Sequence, residues 1–224
     1  MSPRARMLAG FTLANLAILL AAFLLYSNRS AAPPLIQGVL LPEARAVADF
    51  SLLSHHNEPF TNADLLGRWH LVSYGFTTCP DICPTTLSRL VNVSRELEKR
   101  GHSDLNVLFY TVDHRRDTVA QMASYVPYFH PDYIGLTHVD DAANNHLPFE
   151  QSLGIVAQLI PNFSADAAGD PNDYQVSHGV TLFLINPEGK LQAIFEPGRA
   201  DPGMPDFEPE RVLEDYLAIR DYLG

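Results

Sequence analysis

The only two cysteines of the 224-residue chain lie four positions apart, in Cys79-Pro80-Asp81-Ile82-Cys83. A pair so close cannot staple distant segments, and a disulfide closing so small a loop constrains the unfolded chain little. Redox or metal chemistry explains the pair better. On a helix, residues i and i+4 share a face. Pro80 and Pro84 predict that Cys79 stays in the loop before a helix that Pro84 helps to open, which lets the two sulfurs approach further. The start of a helix lowers thiol pKa values. Two adjacent thiolates repel, a cation between them relieves that repulsion, and soft thiolates favour Cu(I) or Zn(II).

Two sulfurs leave such a site incomplete, so the chain must supply a third ligand. It holds nine histidines, at 55, 56, 70, 102, 114, 130, 138, 146 and 178. For any one of them, a surface or hydrogen-bonded role is commoner than ligation. His178 stands apart by position, in the loop just before a strand expected over Val180–Ile185. Asp81 either tunes the site or is a first-turn acid favoured by the helix dipole.

The elements that must position these residues follow from pattern. Asp49–Leu53 alternates like a strand and turns through His56-Asn57-Glu58-Pro59. Thr61 caps a short helical turn ending at Gly67. Trp69–Phe76 and Leu105–Val112 read as buried strands. Leu87, Leu90, Val91 and Leu97 form a helical stripe that ends at Gly101. Asp117 is expected to cap a helix through Val126, and a short strand, Ile134–Thr137, precedes a helix to about Leu153. Ile155–Ile160 reads as extended, and Pro161–Gln175, rich in Asn, Asp, Ala, Gly and Pro, as a surface insertion. Asn186-Pro187-Glu188-Gly189 is a turn joining Val180–Ile185 to Leu191–Phe195. Val212, Leu213, Tyr216, Leu217 and Leu223 mark a last helix. Alternating strands and helices with a closing hairpin predict an α/β fold with a mixed sheet, and the cysteines fall in a strand-to-helix turn, where such sheets build sites.

Hydrophobic residues are 46% and charged residues 18% of the chain, as in a globular protein. A formal net charge of −11 argues against nucleic acid as a partner. Arg4 and Arg6 precede an uncharged run from Met7 to Asn28, the length of a bilayer-spanning helix. The positive-inside rule then puts the N-terminus in the cytoplasm and the rest outside. A cleaved signal peptide is the rival reading, with Ser30-Ala31-Ala32 as its cleavage site. The residues before the run leave no room for a mitochondrial transit peptide, so a bacterial inner membrane with the domain facing the periplasm is expected. The division is an anchor over 1–28, a linker over 29–46 containing Pro33, Pro34, Gly38 and Pro42, and a domain over 47–224.

Tyr74-Gly75-Phe76-Thr77-Thr78-Cys79-Pro80-Asp81-Ile82-Cys83-Pro84-Thr85-Thr86-Leu87 closely resembles the signature of the Sco (SenC) family. Val112-Asp113-His114-Arg115-Arg116-Asp117-Thr118 is similar to that family's next motif. Ser177-His178-Gly179-Val180-Thr181-Leu182-Phe183-Leu184-Ile185-Asn186-Pro187-Glu188-Gly189-Lys190 is similar to its histidine loop and hairpin. The resemblance runs from about Asp49 to the last helix, with the same anchor in front. It implies a thioredoxin-like mixed sheet flanked by helices, and copper delivery to the dinuclear copper centre of cytochrome c oxidase. It implies Cys79, Cys83 and His178 as ligands of one copper per domain, Cu(I), Cu(II) or both. The partners implied are the copper-bearing oxidase subunit and other periplasmic copper carriers or thiol reductants. Two departures stand out. His114 replaces the motif's usual Pro, as a fourth, weakly held ligand or as a solvated loop residue. Only Met122 and Met204 lie in the soluble part, so there is no methionine-rich tract. The competing reading is a membrane-anchored thiol–disulfide oxidoreductase, disfavoured by a three-residue spacer where ordinary thioredoxin-like reductases carry two. A peroxidase and a purely structural disulfide are weaker readings.

Overall fold

A computed structural model describes residues 3–27, 32–138, 144–162, 173–199 and 205–224. It divides into two compact units, Met1–Pro33 and Pro34–Gly224.

The first unit is one helix, α1 (Pro3–Ser27). Large apolar side chains along it, among them Phe11, Leu16, Leu19 and Phe23, are exposed. The amide of Asn15 donates back to the Phe11 carbonyl at 2.8 Å, so the polar group inside the apolar run is satisfied within the helix. Among the described residues, no helix is both long and apolar enough to cross a membrane.

Among the described residues the second unit holds ten strands of three or more residues: β1 (Gly38–Ala46), β2 (Ser51–Ser54), β3 (Pro59–Thr61), β4 (Trp69–Gly75), β5 (Leu105–Thr111), β6 (Ile134–Thr137), β7 (Ala157–Pro161), β8 (Tyr174–His178), β9 (Leu182–Ile185) and β10 (Lys190–Phe195). Eight form one sheet in the order β1-β10-β9-β4-β5-β6-β2-β3, and β7 and β8 form a small sheet of their own. The β4–β5 and β5–β6 pairs are parallel, and the others antiparallel. Four α-helices among the described residues complete it: α2 (Ile82–Lys99), α3 (Val119–Phe129), α4 (Leu147–Leu153) and α5 (Pro209–Leu223).

Central strands of such a sheet are covered on both faces, and their side chains show it. All seven residues of β4 are buried. Leu71, Val107, Phe109 and Leu184 face one core, with Leu87, Leu90 and Leu97 of α2, Met122 of α3 and Tyr216 of α5. Val72, Leu108, Tyr110 and Ile185 face the other, with Phe149 and Leu153 of α4. Each fully buried leucine contributes roughly 1.5–3 kcal/mol. This thioredoxin-like arrangement of a mixed sheet between helices sets the carboxyl ends of β4, β5 and β6 along one edge.

Three expectations change. Residues 38–46, read as linker, form β1, paired with β10 from Gly38 opposite Phe195 to Ala46 opposite Lys190. Pro42 lies where the register shifts between Leu40 and Arg45, a place an edge strand tolerates proline. Gly38 takes φ 140, and a Cβ there would lie 2.0 Å from the Ile194 carbonyl, so glycine is required. The backbone N–H of Gln37 also donates to Asp215 of α5 at 2.7 Å. The compact unit therefore begins at Pro34, ahead of Val47. Next, the cap of α3 is Thr118, whose hydroxyl accepts from the Gln121 N–H at 3.3 Å, while Asp117 is turned into the interior. Finally, the ends of the expected insertion, 161–175, belong to β7 and β8, and residues 163–172 lie outside the described residues.

Candidate metal centre

β4 ends at Gly75, and the chain then passes through Phe76–Asp81 before α2 begins. Cys79 sits in that connection, its N–H bonded to the Phe76 carbonyl at 3.2 Å, and Cys83 lies in the first turn of α2. Both thiols are reduced and buried. The backbone at Gly75 passes so close that a Cβ there would stand 2.5 Å from Cys83 Sγ. Asp81 is the residue before α2 and makes no side-chain cap bond, although its backbone hydrogen-bonds Cys79.

The two thiols divide their protonation. The Cys83 thiol donates to Cys79, and backbone bonds at Asp81 and Cys83 add to it. Together they outweigh burial and hold Cys79 down at about 4. The same pairing, with burial, pushes Cys83 well up. One thiolate and one thiol thus share a pocket at the start of a helix, and a metal ion would displace the remaining proton.

His178 is the last residue of β8, paired with Ala157, rather than a member of the loop before β9. Its Nδ1–H donates to the Gly179 carbonyl at 2.6 Å, which leaves the Nε2 lone pair facing Cys83 Sγ at 3.9 Å. Sulfur and nitrogen on one metal, at about 2.3 and 2.0 Å from it, stand roughly 3.6 Å apart. Tyr74 and Phe76 flank the imidazole, with ring centroids 5.5 and 5.7 Å away. Gly179 permits this approach, since a Cβ there would lie 2.7 Å from the Tyr74 hydroxyl.

The loop after β5 ties both halves of the site together. Asp117 accepts from the Thr77 N–H at 2.8 Å, from its hydroxyl at 2.5 Å and from the Thr111 hydroxyl at 2.6 Å. Thr77 is two residues before Cys79, so this carboxylate fixes the cysteine loop. Burial pushes the Asp117 carboxyl up against the pull of those donors. Asp113 accepts from the Tyr174 hydroxyl and from Arg116 Nε. The Arg116 guanidinium lies 4.2 Å over the Tyr174 ring and donates to the Tyr174 carbonyl at 3.3 Å. Tyr174 begins the strand that His178 ends, so Asp113 and Arg116 pin the histidine's strand. Sequence reasoning missed these supports, as well as Gly75. Two aspartates four apart in one loop at a strand's carboxyl end were the available signal.

His114 packs its ring against His138, at 4.0 Å between centroids, and 6.5 Å from His146. Glu98, His130 and Asp132 also cluster at the surface. There the His130 Nδ1 accepts from the Asp132 N–H at 3.3 Å, which opposes ligation through Nε2, since a ligating imidazole donates from its second nitrogen.

A sequence model described as SCO1/SenC matches residues 40–204. Mouse protein SCO2 homolog, mitochondrial, is 41% identical over 146 residues, covering 63% of this chain and 52% of its own length. A putative copper-binding protein of Stutzerimonas stutzeri is 35% identical over 154 residues, covering 69% of this chain and 71% of its own. The chain thus spans about half the length of the mitochondrial relatives it matches. Among solved structures, Arabidopsis thaliana ScoI with copper bound superposes with a TM-score of 0.64 at 27% identity. The match covers 79% of this chain and all of that one. Yeast Sco1 with copper bound gives 0.63 at 25%, covering 79% of this chain and 89% of its own. BsSco, a Sco-family cytochrome c oxidase assembly protein with a disulfide switch, shares the fold at 0.58 and 17%, covering 82% of this chain and 98% of its own.

Proposed function

Since the chain belongs to the SCO1/SenC family, we propose that it binds one copper ion through Cys79, Cys83 and His178 and delivers it to the dinuclear copper centre of cytochrome c oxidase. The observation that carries this reading is the His178 Nε2 lone pair, aimed at Cys83 Sγ from 3.9 Å by the Nδ1 bond to Gly179. Two sulfurs suit Cu(I), and the imidazole adds the nitrogen that Cu(II) prefers. Copper-bound relatives of the same fold support the choice of metal. The cargo's destination follows from the role ascribed to Sco proteins as cytochrome c oxidase assembly factors. The partners are then the copper-bearing oxidase subunit and periplasmic carriers or reductants.

The test is copper titration against a competing chelator. The reduced chain should take up about one copper and the Cys79–Cys83 disulfide form almost none, because only thiolates bind the soft ion. His178→Ala should lower Cu(II) affinity by more than the roughly 100-fold of an outer-shell change. Equal copper uptake by oxidised and reduced chains would remove the cysteines from the site. A second reading, thiol–disulfide exchange on partner cysteines, draws on the Cys79 thiolate. It attacks a partner disulfide, Cys83 then displaces the partner's thiol from the mixed disulfide, and the chain is left oxidised. Copper-independent reduction of such a partner would favour it.

The chain is further proposed to sit in a bacterial inner membrane through α1, with the second unit in the periplasm. Arg4 and Arg6 ahead of the uncharged run from Met7 to Asn28 support this, as does relatedness to bacterial proteins. Alkaline phosphatase fused after Gly224 should be active. An inactive fusion, or a mature chain starting near Ala31, would refute the anchored topology.

A further inference from the structure

Tyr125 lies on the face of α3 that looks toward the cysteine centre. Gln121, one turn earlier on that face, donates from Nε2 to the Thr77 hydroxyl at 3.2 Å, two residues before Cys79. The Tyr125 ring packs on Phe109 of β5, with centroids 5.7 Å apart. Phe109 in turn meets Cys83 beside Gly75, where a Cβ would stand 3.5 Å from Phe109 Cε2 and 2.5 Å from Cys83 Sγ. Tyr125 thereby packs against the core that holds both cysteines. Its hydroxyl is buried and has no hydrogen-bond partner among the described residues. Phe129, one turn later and 5.2 Å away between centroids, continues the same stripe with a ring that carries no hydroxyl. A buried hydroxyl left unpaired costs stability that a phenylalanine would not.

Building on the copper reading above, we propose that Tyr125 is a positioning residue, whose hydroxyl donates to Cys83 Sγ once a metal ion holds that sulfur as a thiolate. The available acceptors decide the partner. Asp117 is already taken up by three donors, the Thr77 N–H, the Thr77 hydroxyl and the Thr111 hydroxyl. In the metal-free pair Cys83 is the thiol, and a thiol sulfur is a weak acceptor. A bound ion displaces its proton, and the sulfur becomes an anion with lone pairs free of the metal. Burial, followed by the charges of Cys83, Cys79 and Asp117, pushes the phenol well up, so Tyr125 keeps its proton as a donor. A hydrogen bond to an ionised acceptor is stronger than one between neutral groups. Bonds of this kind to a metal-bound cysteine sulfur tune both affinity and potential. The hydroxyl is unpaired without metal and paired with it, so it favours the loaded state.

The experiment compares the full reduced chain with its Tyr125→Phe variant, which keeps the ring and removes the hydroxyl. Without metal, the urea midpoint of the variant should equal or exceed that of the parent, because an unpaired buried hydroxyl is gone. Cu(I) affinity, read by chelator competition, should nevertheless fall roughly 10–100-fold, as when other supporting partners of a ligand are removed. The sulfur-to-Cu(II) absorption band should move to lower energy, since a thiolate that accepts no hydrogen bond gives up its electron more easily. A role in packing alone would lower the metal-free midpoint and leave the band in place. Unchanged affinity and band in the variant, or an affinity loss matched by a lower metal-free midpoint, would overturn the proposal while copper binding by the chain still stood. A parent chain that takes up no copper would remove the copper reading itself, and this proposal with it.

Discussion

At Gly75 the backbone of β4 runs against Cys83 so closely that any side chain meets its sulfur. In Gly75→Ala the added methyl competes with Sγ for one space, and in a close-packed interior either the thiol or the strand must shift. Gly75→Ala should thus reduce copper affinity by roughly 10–100-fold, as supporting-shell changes do, while far-UV circular dichroism stays native. Chelator competition on the reduced variant measures it, and undiminished affinity would mean that Cys83 is not held by this contact. The same logic covers Asp117, which holds Thr77 by two bonds. These supports were hard to see in the sequence. Asp117 and Thr118 are both good helix caps, and only the buried hydrogen bonds reveal that the threonine caps while the aspartate faces inward. The cysteine pair itself was legible, because a four-residue spacing opened by prolines constrains where the sulfurs go.

Among the elements, β1 has the clearest consequence. It covers the outer edge of β10 and is joined to α5 through Gln37 and Asp215. A chain beginning at Val47 lacks this strand and bares the edge of β10, whose unpaired N–H and C=O groups template aggregation. It should unfold at lower urea and associate, whereas a chain beginning at Pro34 should remain monomeric. Urea titration and light scattering compare the two, and equal stability would make β1 dispensable. Strands β4, β5 and β9 were readable because burial on both faces writes a continuous apolar run. β1 carries mixed exposure and a proline, its pairing comes from main-chain bonds, and so it read as linker. The strand of His178 was hidden for a related reason, since its hairpin lies on the surface amid turn-forming residues.

For the molecule as a whole, His70 makes stability depend on acidity. It is buried in β4, and desolvation holds it down at about 4 from 6.5. Burial lowers His55 as well. Between about pH 6.5 and 4 the unfolded chain binds a proton at His70 that the folded chain refuses, so stability falls as pH drops through that window. At 1.36 kcal/mol per unit, His70 alone accounts for about 3 kcal/mol. Urea midpoints of the metal-free protein at pH 7.5 and 4.5 should diverge accordingly, and His70→Leu should narrow the gap. An unchanged gap would show that other groups govern acid unfolding.

The third proposed ligand rides on the small β7–β8 sheet, whereas the cysteines sit at the β4–α2 junction. Among the described residues β7 and β8 pair only with each other, and the ribbon is pinned at Tyr174, at the opposite end of β8 from His178. An imidazole so mounted can let go without breaking one bond of the main sheet. Cu(I) is content with two thiolates, whereas Cu(II) needs the nitrogen. On the proposed copper role, the valence of the ion would be felt as stiffness or slackness in a surface ribbon whose Leu159 and Ile160 face solvent.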